Sequence, residues 1–167
     1  AVKTAVIVVD MWDDHWCPNA AKRVVEMAKP MNNVIKQARE KGMLIIHAPS
    51  STVDFYKGTP ARKRAQNASS ATPPKPLSKD VRWGTNWCWP DKFRETELPI
   101  DDTDMGCDCD EEFPIREAWT RQIDLIEIDD ERDAITDNGQ ETYNLLTKHG
   151  IENVILMGVH LNMCVLG

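Results

Sequence analysis

Apolar residues fall along this chain in short dense runs and in longer, spaced ones. The dense runs are 4–10, Thr-Ala-Val-Ile-Val-Val-Asp; 43–47, Met-Leu-Ile-Ile-His; 123–128, Ile-Asp-Leu-Ile-Glu-Ile; and 153–158, Asn-Val-Ile-Leu-Met-Gly. The first is unbroken and largely β-branched, which reads as a strand buried on both faces. The other three read as strands 2, 3 and 4. Between the first two, Val24, Val25, Met27, Ala28, Met31, Val34, Ile35 and Ala38 lie close to helical spacing, predicting a helix over 20–41. Pro30 is expected to kink or split it, and Gly42 to stop it. A second helix is predicted over 139–149, with Tyr143, Leu145 and Leu146 inward and Gly150 at its end. Strand, helix and strand in succession make a βαβ unit, so the strands should be parallel with a right-handed crossover.

Residues 48–122 break this rhythm. They hold most of the Pro, Trp and Cys and little periodicity. The basic, Pro-rich stretch Lys57 to Lys79 reads as an exposed loop, and Asp101 to Glu112 is acidic. A stretch this long inside a compact domain predicts an ordered insertion or lid between strands 2 and 3. The expectation is therefore one domain over 1–167. Its fold class is three-layer α/β/α with a mainly parallel sheet, strand order 3-2-1-4 and that insertion.

Charge and composition narrow the function classes. A formal charge of −7 argues against a nucleic-acid or anionic-membrane partner. No apolar run approaches the roughly 20 residues of a membrane helix, and no signal peptide is visible. We expect a small-molecule substrate, a homo-oligomer, and a cytoplasmic rather than secreted setting. Five cysteines (17, 88, 107, 109 and 164) are an odd number without zinc-ribbon spacing. Cys107 and Cys109 read as part of a surface loop or as disulfide partners of Cys17 or Cys88, rather than as metal ligands. Four of the six tryptophans, Trp83, Trp87, Trp89 and Trp119, fall within residues 48–122. They are expected to anchor the insertion, with a substrate-facing wall as the alternative.

The chemistry gathers at strand ends. Asp10 ends strand 1 and His47 ends strand 2. Cys164 follows strand 4 by a few residues, in Gly158-Val-His-Leu-Asn-Met-Cys-Val165. Order 3-2-1-4 makes strands 1 and 4 neighbours, so topology brings a carboxylate and a thiol to one crevice at the carboxyl ends of the strands. A helix starting at Cys164 would favour its thiolate.

The opening Val-Ile-Val-Val-Asp10-Met and the Gly-Val-His-Leu-Asn-Met-Cys164-Val segment resemble the isochorismatase-like cysteine hydrolases, a family that includes nicotinamidases. The resemblance covers nearly the whole chain outside the insertion, and it implies further strands and a helix after the cysteine. It implies an Asp-Lys-Cys site, with Asp10 as general base and acid and Cys164 as the nucleophile on a small amide or related carbonyl compound. The thiolate would form a thioester, backbone N–H groups around His160 to Cys164 would hold the oxyanion, and water would release the product. Two residues depart from the family pattern. Asp129 stands at the ungapped lysine position, and Leu161 stands where the signature has Thr. Arg132 is the nearest cation, and we expect it to point into the crevice; the alternative is a surface pair with Asp129 or Asp133. Trp12, His15, His47, His160 and Asn162 are the candidate substrate-binding residues.

Other readings stand beside these. Cys164 is also explained as a buried inert cysteine, and Asp10 as a turn residue. His15 and His47 would join Asp10 around a divalent ion in a metal-assisted, nicotinamidase-like amidase, but the Asp-x-His pattern after strand 2 is missing. No metal ligand is therefore assigned, and no cofactor is required. The acidic run before Gly106 does not fit a calcium loop. A catalytically silent binding or scaffold protein is the remaining alternative, favoured by the missing lysine.

Overall fold

A computed structural model describes residues 2–74 and 107–165. Strands β1 (Thr4–Val9), β2 (Leu44–Ala48), β3 (Ala134–Ile135) and β4 (Asn153–Gly158) form one sheet. Its order is β3-β2-β1-β4, and every pairing is parallel. Helix α1 (Pro18–Glu40) covers one face of the sheet. Helices α2 (Pro60–Gln66) and α3 (Gly139–Lys148) cover the other.

Alternation along the strands divides the core in two, because successive side chains point to opposite faces. Val6, Val8 and Ile45 pack with Val24, Ala28, Met31, Ile35 and Ala38 of α1. Ala5, Leu44 and Ile46 pack with Ala65 of α2, Ala134 and Leu145 of α3. This is the expected three-layer α/β/α architecture. Helix α1 starts at Pro18, with Pro in its first turn, where the missing N–H breaks no bond. It runs unbroken through Pro30, which lies on its exposed side. Val25, Met27 and Val34, expected to belong to the apolar face, are exposed.

Two expectations are corrected. Residues 123–128 are not strand 3. Ile123 and Ile126 turn inward under α1, joined by an Ile126 N–H to Ile123 carbonyl bond of 3.1 Å. The open edge of β2 is taken instead by Ala134–Ile135. The basic stretch after Lys57 is not all loop. Thr59 caps α2 by accepting from the Arg62 N–H, and Ala61 and Ala65 are buried. Helix α3 starts as predicted at Gly139. The Asn138 side chain caps it by accepting from the Glu141 N–H. Trp83, Trp87, Trp89 and Cys88 lie outside the described residues.

Candidate functional site

Register places the site. Val9 pairs with Ala48 on one side and with Gly158 on the other. The residues following these three therefore meet at the carboxyl edge of the sheet. Gly158 has φ +149°, and a Cβ there would stand 1.9 Å from the Val9 carbonyl oxygen. Only glycine lets β4 leave the sheet this close to β1. The chain then passes through His160, at φ +54°, into a π-helical turn over Leu161–Val165 that is closed by the Val165 N–H on the His160 carbonyl.

Asp10 is fully buried and also left-handed, at φ +50°. Its Oδ1 accepts from the Ser50 N–H at 2.8 Å, whereas its Oδ2 is buried without a hydrogen-bond partner. The carboxylate of Asp10, a ring nitrogen of His160 and the Cys164 sulfur lie within 4.8 Å of one another. His160 Nδ1 is 3.7 Å from Cys164 Sγ. Burial pushes the Cys164 thiol up, and the Asp10 carboxylate pushes it further by attracting its proton. The thiol is thus protonated at neutral pH, despite the turn that carries it. Burial pulls His160 below the ordinary histidine range, against the pull of Asp10, so the ring is neutral.

Aromatic rings wall this cluster. Trp12 meets His160 edge-on, with centroids 5.4 Å apart, and stacks flat on Trp119 at 4.1 Å. His15 lies over Trp119 at 5.5 Å and beside His160 at 5.6 Å. Burial and the neighbouring His160 push His15 down to about 4, so it too is neutral. Trp119 is held in place by Asp13, whose carboxylate accepts from the Thr120 N–H and hydroxyl and from the Arg121 N–H. The Trp119 Nε1–H is buried without an acceptor. Among the described residues, no lysine or arginine forms an ion pair with Asp10.

Three expected site residues fall differently. Arg132 does not reach the crevice. It is more than half exposed and pairs with Asp129 at 2.6 Å, because a turn brings that carboxylate beside it. His47 is fully buried and consumed by structure. Its Nδ1 faces the Gln122 Oε1 at 2.8 Å and its Nε2 the Asp133 carboxylate at 3.1 Å, which leaves no nitrogen for a substrate or for a metal shared with Asp10. The Asn162 side chain lies outside the described part of the molecule. Asp10, Cys164, His160, Trp12 and His15 are brought together.

One signal for the pairing of His160 with the thiol is present in the chain. His160 and Cys164 stand four residues apart, the spacing that stacks side chains on one helical face. That makes His160 a partner of the thiol, not only a wall residue. Trp119 carried no distinguishing local pattern, since its place depends on the distant Asp13. Among the described residues, two groups have the donor types and proximity to hold a metal ion: Asp10, His160 and Cys164, and separately Cys17, Cys107 and Cys109. Comparison with family models, with curated proteins and with solved structures gives no match.

Proposed function

We propose that the chain is a cysteine-nucleophile hydrolase that cleaves a small amide or related carbonyl compound through a thioester on Cys164. One observation carries it. A partly buried thiol, a neutral imidazole and the carboxylate of Asp10, one of whose oxygens has no hydrogen-bond partner, converge within 4.8 Å at the carboxyl edge of adjacent parallel strands. In the free protein the thiol keeps its proton. When a substrate carbonyl is seated, Asp10 takes that proton as sulfur attacks, and returns it to the leaving nitrogen. His160, whose Nδ1 is 3.7 Å from the sulfur, donates its Nδ1–H to it as negative charge grows there. The N–H groups that begin the 161–165 turn are the donors for the oxyanion. Water then attacks the thioester, with Asp10 again as the base.

The test is ammonia release from a panel of small primary amides. Turnover is expected in wild type and lost in Cys164→Ala. Arg132→Ala, outside the site, should retain it. Equal ammonia release by wild type and Cys164→Ala would refute a cysteine nucleophile.

A further inference from the structure

Among the described residues, a second group of reactive side chains, apart from the Asp10 site, lies at the start of α1. Cys17 is the residue before that helix, and it forms a disulfide with Cys107. Cys109 Sγ sits 3.9 Å from Cys17 Sγ, and the three sulfurs lie within 4.8 Å of one another. Among the described residues, Cys109 has no disulfide partner. Contacts that do not depend on the disulfide hold it there. The Asn19 amide donates to the Asp108 carbonyl at 3.2 Å, and Arg23 donates to the Asp108 carboxylate at 2.8 Å. Both donors come from the first turns of α1, so the helix itself presents the 107–109 loop to Cys17.

We propose that Cys17, Cys107 and Cys109 form a thiol–disulfide exchange centre in which Cys17 alternates between Cys107 and Cys109 as its bonded partner. The step balances within the chain. The Cys109 thiol loses its proton, and the thiolate attacks Cys17 Sγ. The Cys17–Cys107 bond breaks, and Cys107 leaves as a thiolate that takes up a proton. No oxidant or reductant is consumed. Chain entropy does not choose between the two isomers, because their loops span 90 and 92 residues and the closure cost changes only with the logarithm of length. The helix N-terminus favours negative charge on sulfur around Cys17, which assists both the attacking and the leaving thiolate.

Exposure gives the centre a direction. Cys17 and Cys107 are buried and Cys109 is partly exposed. In the Cys17–Cys109 isomer the bonded, partly exposed Cys109 sulfur is the one a small external thiol reaches: the external sulfur bonds to Cys109 and Cys17 leaves as a thiolate, so internal exchange carries the buried bond to where it can be reduced. Either bond ties the segment carrying Trp119 to the segment carrying Trp12 and His15. The aromatic wall beside Asp10 thus stays stapled while the free thiol changes place.

Disulfide mapping tests this. Native protein is trapped under mildly acidic conditions with N-ethylmaleimide, digested without reduction and mapped by mass spectrometry. The expected result is label on both Cys107 and Cys109, summing to one per chain, with Cys17–Cys107 and Cys17–Cys109 peptides both present. Cys107→Ser should keep one disulfide, between Cys17 and Cys109. The proposal is overturned if Cys107 is never labelled and Cys17–Cys107 is its sole bond, with Cys109 fully labelled or bonded to Cys88. If Cys107→Ser does not fold, the wild-type labelling decides alone.

Discussion

Asp10 shapes the site through one side chain and one unusual backbone angle. Its left-handed conformation turns the chain sharply off β1, and Asn tolerates that region nearly as well as Asp. Asp10→Asn also keeps an oxygen for the Ser50 N–H, so the variant should fold. It removes the negative charge that holds the Cys164 proton in place. Iodoacetamide should therefore alkylate Cys164 faster in Asp10→Asn than in wild type at neutral pH, by roughly tenfold for each unit by which the thiol falls. Amide turnover should drop by about 10²–10⁴ in the same variant. Peptide-level labelling rates read the first effect. A rate unchanged or slower in the variant would mean that Asp10 does not govern the thiol. Arg132 carried two readings in the sequence, a crevice cation and a surface pair with Asp129 or Asp133, and the turn over residues 129–132 realises the pair with Asp129.

Among the elements, β1 and β4 bear the site, and their register depends on Gly158. A methyl group there would collide with the Val9 carbonyl in a backbone conformation that side chains rarely adopt. Gly158→Ala should cost about 3 kcal/mol or more, read as a lower denaturation midpoint. A variant as stable as wild type would show that β4 leaves β1 along another path. Much of this layer was visible beforehand. β1, α1, β2, α3 and β4, with the order 3-2-1-4, follow from aliphatic runs and helical spacing. Two elements were not visible. β3 is only two residues long, too short for any periodic signal, while the better strand composition at 123–128 serves to fill the space under α1. α2 shows only Ala61 and Ala65 within a basic stretch, and its start rests on Thr59 and Pro60 rather than on an apolar stripe.

At the scale of the whole molecule, a buried polar group joins the layers. Asp133 receives Arg39 of α1 at 2.6 Å and faces His47 of β2 at 3.1 Å, and it also accepts from the Asp129 N–H. Burial alone would raise this carboxyl, but hydrogen bonds from His47 and Arg39 hold it down at about 2. Its folded value is thus depressed below the usual 3.8. The stability it contributes is complete well above 3.8 and is lost as pH falls from there through about 2. Asp133→Asn should cost about 3–5 kcal/mol at neutral pH, because it leaves a buried guanidinium unpaired. The gap between variant and wild type should close as denaturation is repeated at pH values approaching 2; a gap that stays constant with pH would assign the loss to packing alone. On the far edge of the sheet, β4 leaves Val154, Ile155 and Leu156 about 45% exposed. The edge strand therefore holds the site on one side without a layer of its own among the described residues.

In the proposed reaction sulfur, not water, makes the first bond to the substrate carbon. This is tested most directly by intact-protein mass spectrometry after acid quenching of the protein during turnover of an amide that it hydrolyses. The expected result is a mass gain equal to the acyl group, located on the peptide carrying Cys164, released by neutral hydroxylamine and absent in Cys164→Ala. Turnover that continues in Cys164→Ala, or an acyl adduct on any other residue, would contradict it.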